Sequence, residues 1–237
     1  METISRKEWN QLRRAADDGV ALAQFELGSG FEWGVQDPAG RCVAAPNRDS
    51  AKRWYLAAAQ AGHAAAQSAM SRLLSADAKT LSDLRVAIAW GKKAVAQGDF
   101  SAAFNLATVF RDMGQLRQAL SWYRCAESMG DGDATLQIGL SLMFGLGVRR
   151  DVQGARSAFL RVISGGTDSS VCQRSREDAR FWLAVIDLID GRRHTKRSLS
   201  DARALLEWAN RDGDHEQANA LLNLIGKTQY RVAHLRD

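Results

Sequence analysis

The residues that could do chemistry are few and scattered. Four histidines (His63, His194, His215 and His234) have no metal-ligand spacing, and three cysteines (Cys42, Cys125 and Cys172) form no Cys-x-x-Cys pair. An odd, widely separated set of cysteines is not a disulfide framework. A nucleophilic thiol needs an activating neighbour, and none is evident beside these three. Cys125 falls inside a helical pattern as a small packing residue, while Cys42 and Cys172 are expected in loops. No Gly-x-Ser-x-Gly, His-Glu-x-x-His or phosphate-loop motif occurs. Gly145-Leu146-Gly147 looks like the start of a dinucleotide loop, but a helical pattern precedes it where a strand is needed. It reads instead as a turn between helices. His63 and His215 stand beside turn glycines and read as helix-start residues. The expectation is a chain that is not an enzyme and has no metal site and no cofactor.

Composition says what must position the remaining residues. The 237 residues carry 32 Lys+Arg against 27 Asp+Glu, a formal net charge of +5, and 46% are hydrophobic. That apolar share is ordinary for a soluble globular protein and excludes a disordered chain. Pro38 and Pro46 are the only prolines, and abundant Ala, Leu, Arg and Gln favour long helices. No apolar leader follows Glu2, Arg6, Lys7 and Glu8 at the start. The uncharged, apolar run Ala134 to Val148 is shorter than the roughly 20 residues of a membrane helix. A cytoplasmic protein without membrane insertion is expected.

The chain repeats itself. From each of five anchor alanines, bulky residues follow at +3 or +4, a small apolar residue at +7 and Gly at +11. Ala51 leads to Trp54, Tyr55, Ala58 and Gly62; Ala119 leads to Trp122, Tyr123, Ala126 and Gly130. Ala87, Ala155 and Ala202 repeat the frame at spacings of 36, 32, 36 and 47 residues, and a partial copy ends at Leu12, Ala15 and Gly19. After each glycine a second pattern begins at Ala23, Ala66, Ala102, Ala134, Ala179 and Ala218, with large apolar residues at +4 and, in most copies, at +8. Those offsets mark one helix face, and a small residue at +5 lets a neighbouring helix come close. Each unit is therefore a helix, a tight turn whose glycine takes the left-handed C-cap, and a second helix started by a residue such as Asp99 or Asp131.

Two stretches carry a resemblance to a known family. Ile138-Gly139 followed by Phe144-Gly145-Leu146-Gly147-Val148-Arg149-Arg150-Asp151 and Ala155 is similar to the Sel1-like repeat. Asn47, Ala51, Trp54-Tyr55, Ala58-Ala59 and Gly62 match it as well. The resemblance covers roughly Glu8 to Gly226. It implies an all-α, right-handed α-solenoid of about five to six helix pairs related to tetratricopeptide repeats, one domain over residues 1–226 with a tail at 227–237. The unit from Ala66 lacks the family's glycines, Met113-Gly114-Gln115 replaces a longer Gly-rich turn, and Asp187 occupies a usual aromatic position. Insertions at 34–46 and 165–173 are read as tolerated length ahead of function.

By the same resemblance, fixed offsets of the helices after each turn face a concave, partner-binding groove. They select Phe25, Glu32, Trp33, Arg72, Phe104, Thr108, Arg111, Asp112, Leu140 and Met143. Two readings stay open: an aromatic channel with charged guides, or side chains buried between curved helices. For Phe144, Leu188 and Ile189 the buried reading is preferred. Residues 149–237 hold 16 basic and 12 acidic residues, and Arg149, Arg150, Arg192, Arg193 and Arg197 define a possible basic edge, suited to an acidic surface or simply a solvated rim.

The resemblance implies a scaffold whose partner is a protein, and a whole chain of repeats suits a cytosolic bacterial inhibitor such as the immunity protein of a toxin effector. An adaptor in bacterial signalling or secretion-system assembly fits the same residues. Secreted relatives with a disulfide in every repeat are disfavoured, because the paired cysteines are missing. Nucleic acid is an unlikely partner: repeat readers use polar side chains at fixed positions, and here those positions are mostly apolar.

Overall fold

The computed structural model describes residues 3–165, 171–190, 196–210 and 215–222. They fall into two compact units, Met1–Gly114 and Gln115–Asp237. Unit 1 holds α1 (Arg6–Asp17), α2 (Ala21–Trp33), a short hairpin β1 (Val35–Gln36) and β2 (Cys42–Ala44), then α3 (Arg48–Gln60), α4 (Ala64–Asp77), α5 (Leu81–Val95) and α6 (Phe100–Asp112). Unit 2 holds α7 (Leu116–Ser128), α8 (Gly132–Phe144), α9 (Val152–Ser164), α10 (Gln173–Asp190) and α11 (Lys196–Ala209), with a further helical stretch over 216–222. Within each unit every helix packs on its neighbours in sequence; α4 also touches α6, and α8 touches α10.

The repeat frame is the core. The anchors Ala51, Ala87, Ala119, Ala155 and Ala202 are buried, and so are Ala66, Ala102, Ala134, Ala179 and Ala218 in the second helices. The small +5 residue receives an aromatic ring from the next first helix. A Cβ on Gly28 would lie 2.5 Å from the Tyr55 ring, and one on Gly139 would lie 2.5 Å from the Phe159 ring. The unit from Ala66, which departs from the pattern in sequence, keeps the same fit with the sizes reversed. Ser71 fills the small position, and opposite it Gly91 replaces the aromatic residue; a Cβ there would lie 2.8 Å from Ser71 Oγ. Asp187 at the aromatic position of the fifth unit is likewise accounted for, because it is ion-paired with Arg156.

Helix boundaries follow the expected chemistry. The turn glycines Gly62, Gly98 and Gly130 have φ of 91°, 89° and 101°. Asn47, Asp99 and Asp151 accept from backbone N–H groups at the starts of α3, α6 and α9, and Ser5 and Thr80 form capping boxes with Glu8 and Asp83. His63 Nδ1 accepts from Ala66 N, and His215 Nδ1 accepts from Ala218 N, each at 3.3 Å. Cys172 also starts a helix: its Sγ accepts from Ser175 N at 3.4 Å. Cys42 lies on β2 rather than in a loop.

Asp131 is the costly cap. Its carboxylate accepts from Asp133 N and Ala134 N at 2.9 and 3.1 Å while buried to 6% exposure, and that burial raises its pKa from the ordinary carboxylate value. A raised folded pKa means the native state loses stability as pH climbs through it. Asp131→Asn keeps an acceptor for the cap and removes the charge. The variant is expected to be more stable than the wild type in urea unfolding at neutral pH. The gain disappears once the pH drops below the unfolded carboxylate pKa, where both states of the wild type are protonated.

The insertion at 34–46 is not surplus length. Val35 pairs with Ala44 and Gln36 with Cys42, and Thr3 adds a parallel bridge to Gln36. Val35 and Ala44 are buried with Trp9, Ala16, Ala23 and Leu27, so the hairpin completes the core of the first helix pair. Asp37 holds its turn by accepting from Ala39 N and Arg41 N at 2.9 Å and pairing with the Arg41 guanidinium, and these contacts lower its pKa. The stretch 166–170 of the other insertion and the tail at 227–237 lie outside the described residues.

Candidate functional site

In unit 1 the second helices of the pairs, α2, α4 and α6, line two concavities together with side chains of α1, β1 and α5. The first has a volume of about 690 Å³ and is lined by Ile4, Trp9, Leu12, Phe25, Glu26, Ser29, Gly30, Trp33, Gly34 and Val35. Trp33 stands 62% exposed at its edge. Phe25 is held half-buried by stacking on His63, with centroids 4.7 Å apart and planes 20° apart. The second concavity, about 540 Å³, is lined by Arg72, Ser75, Ala76, Ala78, Leu81, Leu84, Asn105, Thr108, Val109, Asp112 and Met113.

A polar knot reaches the second concavity through Arg72. Glu32 of α2 accepts from Tyr55 Oη of α3 at 2.9 Å and from Arg72 Nη2 of α4 at 2.6 and 2.8 Å. Burial and the neighbouring carboxylate push the Tyr55 phenol upward, so it stays a donor. The Glu32 side chain is 12% exposed and that of Arg72 is 41% exposed, so the pair is anchored on the carboxylate side and open on the guanidinium side. Removing the cation alone strands a nearly buried carboxylate. Arg72→Met is expected to cost about 1–2 kcal/mol in chemical denaturation, and adding Glu32→Gln should recover most of that loss.

The structure thus brings Phe25 and Trp33 onto the first surface and Arg72, Thr108 and Asp112 onto the second, while Glu32 lines neither and holds Arg72 from behind. Phe104 is half-buried on α6, and Thr108 Oγ1 donates to its carbonyl at 3.2 Å. Arg111 and Asp112 form an exposed pair at 3.1 Å.

The residues expected in a groove farther along the chain behave differently. Met143 is 5% exposed and belongs to the core of unit 2 with Leu136, Phe159 and Leu183, so it has almost no surface to offer. Leu140 is half-buried against the same core. Phe144, for which burial was expected, is 51% exposed and makes a T-shaped contact with Trp182, centroids 5.2 Å apart. It ends α8, one residue before the left-handed turn at Gly145, and the chain leaves the core there. Leu188 is half-buried as expected, and the Ile189 side chain lies outside the described residues.

The basic edge is partly structural. Arg149 is exposed, but Arg150 Nε donates to the Met143 carbonyl at 3.0 Å and closes the C-terminal end of α8. Arg192, Arg193 and the Arg197 side chain lie outside the described residues. Sequence reasoning missed four contacts on this unit. Arg161 and Thr135 both donate to Glu127, the Arg180 guanidinium lies 3.7 Å over the Trp208 ring, and His215 Nε2 is 3.3 Å from Asp178. Their spacing of 8 to 37 residues has no local signature; the repeat length alone places such positions side by side.

Chemically, these surfaces can bind through aromatic, apolar and ion-paired groups. His63 and His215 both commit Nδ1 to helix caps. Among the described residues no group of three or more His, Cys, Asp or Glu could hold a metal ion, and no helix is long and apolar enough to cross a membrane.

No family model and no curated protein matches the chain. Solved structures do. A protective antigen present in uropathogenic Escherichia coli strains, displaying an SLR fold, is 22% identical with a TM-score of 0.72. The match covers 93% of this chain and 44% of that one, so this chain spans less than half of that protein's length. A Sel1 repeat protein from Oxalobacter formigenes is 24% identical with a TM-score of 0.65, over 86% of this chain and 76% of that one. Buried repeat alanines, helix pairs closed by left-handed glycines and these two likenesses agree: the chain has the all-α solenoid fold of the Sel1-like repeat proteins.

Proposed function

We propose that the chain is a non-catalytic scaffold that binds a partner protein through the α2–α4–α6 surfaces of unit 1. Its specific job, in this reading, is that of a cytosolic bacterial immunity protein neutralising a toxin effector. The observation that carries the scaffold reading is Trp33, 62% exposed beside an apolar concavity and next in sequence to Glu32 of the Tyr55–Glu32–Arg72 knot. Large aromatic side chains presented this way are the usual anchors of protein interfaces.

The test uses tagged wild type and a Trp33→Asp, Asp112→Arg variant as baits in a lysate of the native host. Both residues are exposed, so both baits should fold, which circular dichroism checks. The expected result is one protein retained by the wild type and lost by the variant, whose expression arrests growth unless the wild-type chain is co-expressed. Equal capture by both baits overturns the assignment of this face. Selective capture of a harmless protein overturns the inhibitor role and leaves the second reading, an adaptor in bacterial signalling or secretion-system assembly. Capture of nucleic acid that vanishes with added salt would overturn the protein-partner reading.

A further inference from the structure

We infer that the first concavity of unit 1 takes a basic, apolar segment of the partner, seating a Lys or Arg side chain against the Trp33 ring and the Glu26 carboxylate. This deepens the scaffold reading and rests on it. Apart from Ser29 and Glu26, the side chains lining this concavity are apolar, and Glu26 is the one charged residue among them. The two carboxylates of α2 are used differently. Glu32 is already satisfied by Tyr55 and Arg72. Glu26 is exposed, and among the described residues no ion pair holds it.

Charge complementarity then selects the occupant. A purely apolar segment laid across Ile4, Leu12, Phe25 and Trp33 would cover the Glu26 carboxylate without giving it a partner, and burying an unpaired carboxylate is strongly unfavourable. An acidic segment would add repulsion. A segment with a Lys or Arg among apolar residues satisfies both demands. The helix geometry allows one side chain to meet both groups. Glu26 and Trp33 are seven residues apart, two turns along one face, roughly 10 Å by the helix rise. Side chains on a helix lean back toward its N-terminus, which favours a shorter span between the two groups. A cation between them is attracted by the carboxylate at one end and by the indole face at the other. The apolar neighbours of that cation have Leu12 and the edge of Trp9 to pack on.

The experiment selects peptides from a random phage-displayed library on the full-length chain. Enriched sequences are synthesised with a fluorophore and titrated by fluorescence anisotropy. The expected motif places Lys or Arg among large apolar residues. Glu26→Lys should weaken these peptides by about tenfold or more and strengthen their Lys/Arg→Glu counterparts, and Trp33→Ala should weaken them similarly. Asp49→Lys, an exposed change on α3 outside the concavity, should leave affinity within about twofold of wild type. Enriched peptides without a basic residue, or affinity indifferent to Glu26→Lys while Trp33→Ala still weakens it, would overturn the basic-segment inference and leave the groove reading standing. No enrichment, or peptides indifferent to Trp33→Ala as well, would overturn both.

Discussion

Gly147→Ala should destabilise unit 2 by about 3 kcal/mol, the sum of a left-handed backbone penalty and an overpacking cost. Gly147 sits at φ 74°, and a Cβ there would lie 2.4 Å from both the carbonyl carbon and the oxygen of Leu116, and 2.6 Å from Arg117 N. These are backbone atoms at the first turn of α7, and no rotamer change can move them aside. The helix itself is fixed by buried Ala119, Leu120 and Tyr123. Gly130→Ala is the matched control. Its φ is 101°, and nothing lies within 4 Å of the added Cβ. It should cost only the conformational part, about 1–2 kcal/mol. Urea unfolding followed by circular dichroism compares the two. Equal losses would mean that the start of α7 yields to the methyl group, and the contact would then not be a constraint.

A change of sign is expected at the contact between α8 and α9. In the wild type, Gly139→Ala should cost about 1–3 kcal/mol, because its methyl group would meet the Phe159 ring at 2.5 Å. Phe159 has no exposed surface and packs among Leu136, Val162, Leu183 and Ile186. Phe159→Ala should therefore cost about 3–5 kcal/mol through lost burial and the cavity left behind. In that background the obstruction is gone. Gly139→Ala then stabilises α8 by about 1 kcal/mol, the ordinary preference of a helix interior for Ala over Gly. A double-mutant cycle reads the reversal directly. If Gly139→Ala costs the same in both backgrounds, the ring and the glycine do not share the space assigned to them.

The same pair shows what was legible in the sequence. The small residue at +5 was readable as a close helix approach, because spacing alone puts it on the face opposite the next helix. That the approaching group is the aromatic ring of the following pair was not readable, since the two residues are separated by more than a turn and a helix end. The Ser71–Gly91 exchange makes the point more sharply. In sequence that unit looks degenerate; in space its sizes are complementary. In sequence the stretch 34–46 reads as tolerated length, and its apolar residues, Val35 and Ala44, are too few to announce a core.

The candidate site divides along the same line. The family resemblance places Phe25, Trp33, Arg72 and Thr108 on one class of helix face, and in unit 1 that face contributes to the concavities. The same register places both Met143 and Phe144 at groove positions, with burial preferred for Phe144; in the structure Met143 is buried and Phe144 is exposed. A helical register locates a side chain to within one step of about 100°, and at the last turn of α8 that step separates core from solvent.

By itself the sequence determined the all-α repeat, its period, the caps and turn glycines, and the alanine lattice of the core. Each of these depends on residues within a turn or two of one another, where steric and hydrogen-bonding preferences act directly. Only the tertiary structure decided that Glu32 is spent on Tyr55 and Arg72 while Glu26 is left open, that Arg150 Nε closes the end of α8, and that Trp33 stands at the edge of a concavity. Whether a charge is paired, and whether an aromatic side chain faces core or solvent, depends on neighbours brought together from distant parts of the chain.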